Sequence, residues 1–139
     1  MVQGKWFPMG SDLTQPLSVR EAVFGRGRDV LDESAQQVVV YNGDIAVGSA
    51  RLWWQDGAFW LGEVGVLPAW RGMGYGDLLV RLLLYKALTH SARALRLKTP
   101  EATAGFFARY GFRAQSGEVM YLAADDVCLS HCEGCPASR

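Results

Sequence analysis

The sequence predicts an α/β (α+β) fold, with a central mixed, mostly antiparallel sheet and helices on both faces. Three observations predict it. β-branched and aromatic runs flank the turn signals Asn42-Gly43-Asp44 and Gln55-Asp56-Gly57, which makes an antiparallel meander. Beyond Pro68, helix-patterned segments are separated by short strands, so helices must cover the sheet. With 139 residues, 50% of them hydrophobic and 20% charged, the chain can bury one substantial core without disulfide or metal staples.

The elements follow in order. Lys5 to Met9 reads as a short first strand closed off by Pro8 and Gly10. Pro16 suits a first helical turn, and Leu17, Val19, Ala22, Val23 and Phe24 continue at roughly helical spacing until Gly25 to Gly27 stop the helix. Gly25-Arg26-Gly27-Arg28-Asp29 reads as a loop able to line a site. Val38 to Tyr41, Ile45 to Trp54 and Ala58 to Leu67 are the meander strands, the last ended by Pro68. Leu78 to Leu88 is a mostly apolar helix with Arg81 and Lys86 on its polar side. Ala94 to Lys98 is a short strand, Pro100 to Arg109 a helix ended by Gly111, and Val119 to Leu122 a final strand.

Charge and composition exclude several functions. Lys plus Arg number 14 and Asp plus Glu number 14, so no excess of positive charge marks a nucleic-acid binder. The run Leu78 to Leu84 is broken by Arg81 and falls far short of the ~20 residues of a membrane span. The opening Met1-Val2-Gln3-Gly4-Lys5-Trp6 lacks the pattern of a charged, then apolar, signal segment. The three cysteines, Cys128, Cys132 and Cys135, crowd the C-terminal end instead of closing loops through the chain. The expectation is a cytoplasmic protein with reduced thiols and neither nucleic acid nor membrane as partner.

The most informative stretch is Arg71-Gly72-Met73-Gly74-Tyr75-Gly76, between a strand and a helix. A glycine-rich turn there presents backbone N–H groups at a helix N-terminus, where the macrodipole favours anions. Glycine lets a phosphate approach closely, and Arg71 adds a permanent positive charge. The chemistry suggested is pyrophosphate binding. The loop lacks the Lys-Ser/Thr pair of a P-loop, has the wrong glycine spacing for a dinucleotide fingerprint, and follows antiparallel strands. On the residues alone, a ligand-free glycine turn stays open.

The same stretch matches the Arg/Gln-x-x-Gly-x-Gly/Ala signature of the GNAT acyl-CoA N-acyltransferases. Val64-Gly65-Val66-Leu67-Pro68-Ala69-Trp70 resembles that family's fourth strand and its exit. Phe106-Phe107-Ala108-Arg109-Tyr110-Gly111-Phe112 resembles its later helix with the closing Gly-Phe, and Val19 to Phe24 is similar to the first helix of a small bacterial branch. The resemblance spans Lys5 to Leu122 and implies one GNAT domain over residues 1–125, followed by a cysteine-containing tail over 126–139. It implies a sheet splayed between its fourth and fifth strands, with acetyl-CoA as cosubstrate in the gap and no metal required. Pantetheine would pair with backbone groups of Val64 and Val66. Arg71, Gly72, Met73, Gly74, Tyr75 and Gly76 would cradle the pyrophosphate.

The activity so implied is acetyl transfer to a primary amine of a small molecule by direct attack on the thioester. An alkylamine is mostly protonated at neutral pH, so a base is needed. Glu63, just before the pantetheine contacts, is the candidate, although strand alternation leaves open whether it faces the cleft or solvent. Glu118 and Asp77 are weaker alternatives, Asp77 being equally suited to decorating a helix N-terminus. The family's usual general acid, a Tyr four residues before the helix-ending glycine, is Phe107 here. Tyr110, three residues on, points elsewhere on the helix. Phe107 leaves the acid unassigned and keeps a second reading in play, an acyl-CoA-binding sensor with weak or lost catalysis. A Phe-Phe pair also resembles some members that acetylate amino acids.

Other residues read more plainly. Trp53, Trp54, Phe59 and Trp60 suggest core packing with cover from the first helix; the alternatives are an aromatic wall of an acceptor pocket or a homodimer contact. Arg20 is expected to be solvated unless it holds a substrate carboxylate. His90 suits a helix C-terminus. Cys128, Cys132 and Cys135 with His131 have a spacing that Zn²⁺ or an iron–sulfur cluster could use, but His131 directly precedes Cys132, and a tail of free thiols is preferred.

Overall fold

The computed structural model of the protein describes residues 1–128. Chain order is β1 (Val2–Phe7), α1 (Thr14–Phe24), β2 (Gln36–Asn42), β3 (Ile45–Gln55), β4 (Ala58–Val66), α2 (Tyr75–Thr89), β5 (Ala94–Lys98), α3 (Glu101–Ala108), β6 (Arg113–Ser116) and β7 (Val119–Ala123). The strands form one sheet in the order β1-β2-β3-β4-β5-β7-β6. Every neighbouring pair is antiparallel except β4 and β5, which run parallel.

Both meander turns have the geometry their residues favour. Asp56 and Gly57 close β3–β4 with φ of +51° and +76°, the left-handed pair that suits the twist of a two-residue hairpin. The sheet is covered on opposite faces. A Cβ on Gly65 would lie 2.8 Å from Val23 and Phe24 of α1, whereas one on Gly48 would lie 3.1 Å from Leu79 of α2. Ser49 pairs with Gly65, so Gly48 and Gly65 point to different faces.

α2 gives the core more buried residues than either other helix. Its buried positions Tyr75, Leu79, Val80, Leu83, Leu84 and Ala87 fall on one stripe and pack on Val38, Val40, Leu52 and Leu61 from the sheet. Each fully buried leucine contributes about 1.5–3 kcal/mol relative to exposure. Under α1 the packing is ionic. Arg20 donates to Asp32 at 2.7 and 2.9 Å and to Gln37 at 2.9 Å. Asp32 also accepts from Gln37 at 2.8 Å and from Arg51 at 3.2 Å. Burial works against the Asp32 carboxylate, yet the hydrogen bonds from Arg20 and the Asp29 N–H, with the charges of Arg20 and Arg51, hold its pKa well below the usual range. Arg20 is therefore neither solvated nor a substrate ligand; it is 2% exposed and ties α1 to the sheet.

Several boundaries differ from expectation. β1 begins at Val2 and ends at Phe7, because pairing with Gln37–Asn42, not an apolar pattern, defines it. β6 was not anticipated: all four of its residues are exposed on the sheet edge, so no hydrophobic periodicity marks it. α2 starts at Tyr75, since Gly74 at φ +86° supplies its cap directly from the loop. The turn Val30–Glu33 is a 3₁₀ helix with a capping box between Asp29 and Asp32.

Candidate active site

The site begins where the sheet opens. Only Phe59, Trp60 and Leu61 of β4 pair with β5, opposite Leu95, Arg96 and Leu97, although β4 runs to Val66. From Gly62 onward the β5-facing edge of β4 has no strand beside it. Backbone groups alternate between the two edges of a strand. The Leu67 N–H donates to Val47 of β3 at 2.8 Å, so Gly65 also faces β3, and Val64 and Val66 present their N–H and C=O groups to the gap. Of these, the Val66 carbonyl accepts from Arg71 Nε at 2.9 Å.

A bulge interrupts β4 at the same place. Arg51 pairs with Gly62 and Ser49 with Gly65, so β4 carries one more residue than β3 across this step. Glu63 takes up the difference at φ +52°, a conformation costing a non-glycine residue about 1–3 kcal/mol. The bulge re-aims Glu63 out of the strand alternation. Its carboxylate meets Arg26 from the loop after α1, with Arg26 Nη2 at 3.0 Å from each oxygen.

The Arg71–Gly76 loop closes the far end of the gap. Gly72 and Gly74 have φ of +79° and +86°, and a Cβ on either would meet nothing within 4 Å, so the loop stands open above α2. The first intrahelical bond runs from the Leu78 N–H to the Gly74 carbonyl, so the N–H groups of Tyr75 and Gly76 open the first turn without an intrahelical acceptor. Tyr75 is anchored by Asn42 Nδ2, which donates to its hydroxyl at 2.8 Å, and by edge-on contact with Trp70.

Three clefts follow one another along this path. The first, about 560 Å³, is lined by Val64, Val66, Arg71, the loop glycines and Arg109. Val64 and Phe106 also line the second, about 380 Å³, which continues between Leu61, Leu97, Thr99 and Phe107. The second shares Arg26, Gly62, Glu63 and Thr99 with a third of about 520 Å³, walled by Trp53 and Trp60. Glu63 thus stands where the gap between β4 and β5 meets the outer cleft.

The expected residues fall unevenly on this geometry. Val64, Val66, Arg71, Gly72, Gly74, Tyr75 and Gly76 line the first cleft, whereas Met73 is 62% exposed and does not. Glu118 lines the outer cleft. Asp77 accepts from Arg81 Nε at 2.8 Å and from the Tyr110 hydroxyl, away from Glu63 and the outer cleft. Tyr110 is fully buried, and burial first, then the bond to Asp77, raises its pKa. Phe107 lines the second cleft without a proton to give.

Trp53 stacks on Trp60 across the hairpin, with ring centres 6.4 Å apart, so this pair forms a cleft wall and not buried core; Trp54, on the other face, is 58% exposed. The loop expected to line a site does so through Arg26, whose target the sequence does not reveal, whereas Arg109 at a helix end carries no pattern that marks it as a site residue.

At the C-terminal end, Cys128 is 1% exposed, its N–H donates to the Tyr110 carbonyl at 2.9 Å, and it is disulfide-bonded, contrary to the expected reduced thiol. Cys132, Cys135 and His131 lie outside the described residues. Among the described residues, no group of three or more His, Cys, Asp or Glu is arranged to hold a metal ion, and no helix is long and apolar enough to cross a membrane.

Comparisons with known proteins agree with this architecture. A family profile described as the acetyltransferase (GNAT) domain matches residues 33–114. An uncharacterised N-acetyltransferase of Bacillus subtilis, YjcF, is 28% identical over 106 residues, covering 70% of this chain and 76% of the relative. An acyl-CoA N-acyltransferase from Pseudomonas aeruginosa has a similar structure, with a TM-score of 0.81 at 19% identity over 88% of this chain and 100% of that one. A GNAT family acetyltransferase from Elizabethkingia anophelis, solved with acetyl-CoA bound, gives a TM-score of 0.70 at 13% identity over 88% and 97% of the two chains. The splayed sheet, the glycine loop over α2 and the match across residues 33–114 lead to one conclusion: the chain belongs to the GNAT acetyltransferase family.

Proposed function

We propose that the protein transfers an acetyl group from acetyl-CoA to the primary amine of a small molecule, amino acids included. The observation that carries this reading is the unpaired edge of β4, where Val64 and Val66 lead directly into the open Arg71–Gly76 loop. Pantetheine amides complement that edge as a short strand would. The N–H groups of Tyr75 and Gly76 and the α2 dipole favour the pyrophosphate, with Arg71 and Arg109 supplying positive charge.

In this reading, Glu63 accepts a proton from the acceptor's ammonium. The freed amine nitrogen bonds to the thioester carbonyl carbon, the C–S bond then breaks, and the second proton of the nitrogen passes to solvent as the neutral amide forms. A gap-facing backbone N–H of β4 donates to the developing oxyanion in this reading. CoA leaves as a thiolate that takes its proton from water, since its pKa of ~8.5 needs no strong acid and Phe107 offers none.

Glu63→Gln is expected to lower kcat by about 10²–10⁴, the range for loss of a general base, with acetyl-CoA affinity nearly unchanged. An unchanged kcat removes Glu63 from the mechanism. The phenyl ring of Phe107 favours a second reading, an acyl-CoA sensor, which thiol release with an amine acceptor would exclude.

A further inference from the structure

The Arg26–Glu63 pair sits at the inner end of the outer cleft and is built unlike the structural ion pairs of this protein. Arg20, Asp32 and Arg51 are 2–4% exposed and held by several partners each. Arg26, by contrast, has a side chain 60% exposed, lies between Gly25 and Gly27, and meets one carboxylate, Glu63, through Nη2. Its Nη1 and Nε have no partner among the described residues, apart from stacking of the guanidinium over Phe24 at 4.8 Å. Such a pair is weak, about 0–1 kcal/mol, and its arginine keeps a free donor edge for a second carboxylate.

The other charged residues of the outer cleft do not offer the same. Arg51 is 4% exposed and holds Asp29 and Asp32 through Nη1, so burial closes off its unpartnered Nε; Lys98 is an exposed point charge at the rim, and Glu118 is the remaining acid.

We propose that Arg26 is the receptor for a carboxylate on the acceptor, and that the acceptor is an α-amino acid with a bulky apolar side chain. This deepens the acetyltransferase reading above and rests on it. An acid and a base 3.0 Å apart are the electrostatic inverse of a zwitterion whose ammonium and carboxylate share one carbon. The ammonium meets Glu63 and the carboxylate meets Arg26. Arg26 is thereby drawn off Glu63, whose lone pairs turn to the amine proton. The stacked Trp53 and Trp60 take the side chain, which favours an aromatic or branched aliphatic group.

The test compares L-tryptophan, L-phenylalanine and L-leucine with their amides, which keep the amine and side chain but lack the carboxylate. The full chain, acetyl-CoA and thiol release are used throughout. The expected result is kcat/KM at least about tenfold higher for the acids, the range for a lost charge-assisted hydrogen bond. Arg26→Gln should bring the kcat/KM values of each acid and its amide to within about twofold of one another, the acids losing through KM, and Arg26→Lys should restore part of the difference. Equal turnover of acids and amides, or an Arg26→Gln loss shared by both, overturns the role of Arg26 and leaves the transferase reading standing. A protein that acetylates other primary amines but neither of these sets overturns the amino-acid acceptor alone, and one that binds acetyl-CoA but releases no thiol with any primary amine overturns the transferase reading as well.

Discussion

Asp32→Asn removes one charge and almost no volume from the centre of the ionic cluster under α1. The wild-type carboxylate accepts from Arg20 twice, from the Asp29 N–H, from Gln37 and from Arg51, at 2.7–3.2 Å, with its side chain fully buried. An amide offers one oxygen and turns an NH₂ toward donors already pointing inward. Two arginines that are 2% and 4% exposed then lose their shared counter-charge. Breaking a buried pair this way costs about 3–5 kcal/mol, against a total of roughly 7–20 kcal/mol for a chain of this size. Urea unfolding followed by tryptophan fluorescence measures it. A cost below about 1 kcal/mol would refute the argument, as it would mean that water or relaxation already satisfies the arginines.

The same carboxylate sets a pH dependence. Its native pKa is depressed, so its contribution is complete above the unfolded value of ~3.9 and is lost as pH falls through and below it. Asp32→Asn should flatten the loss of stability on that acid side.

Two further substitutions probe the frame around the site. Tyr110→Phe leaves Asp77 without its buried donor and should cost about 1–3 kcal/mol in urea unfolding, with no change in KM for acetyl-CoA beyond about twofold. Gly65→Ala puts a methyl 2.8 Å from Val23 and Phe24, so it should cost about 1–3 kcal/mol and, by displacing Phe24 into the second cleft, raise KM for the acceptor.

Much of the frame was legible in the sequence because local chemistry fixes it. Asp56-Gly57 and Gly43-Asp44 mark turns that few other residues make, and the α2 stripe repeats at helical spacing. The glycine loop was legible for the same reason, since Gly72 and Gly74 occupy positive φ. What was hidden depends on distance across the fold. Nothing near Arg20 in sequence announces Asp32 or Gln37, so the buried cluster read as a solvated helix face. Glu63 faces Arg26 only because a bulge in β4 breaks the alternation from which its direction would be read. Trp53 and Trp60 form a cleft wall because β5 diverges beyond Leu97, a feature of pairing and not of either residue.

Calorimetric titration of the folded chain decides whether the gap between β4 and β5, with the Arg71–Gly76 loop, holds acetyl-CoA. Acetyl-CoA should bind at one site with a micromolar Kd, about −8 kcal/mol. Gly74→Glu places a carboxylate where the pyrophosphate would rest and should weaken binding at least about a hundredfold, beyond the ~1–2 kcal/mol of backbone strain at φ +86°. No binding by the folded parent, or equal binding by a folded Gly74→Glu variant, would contradict the assignment.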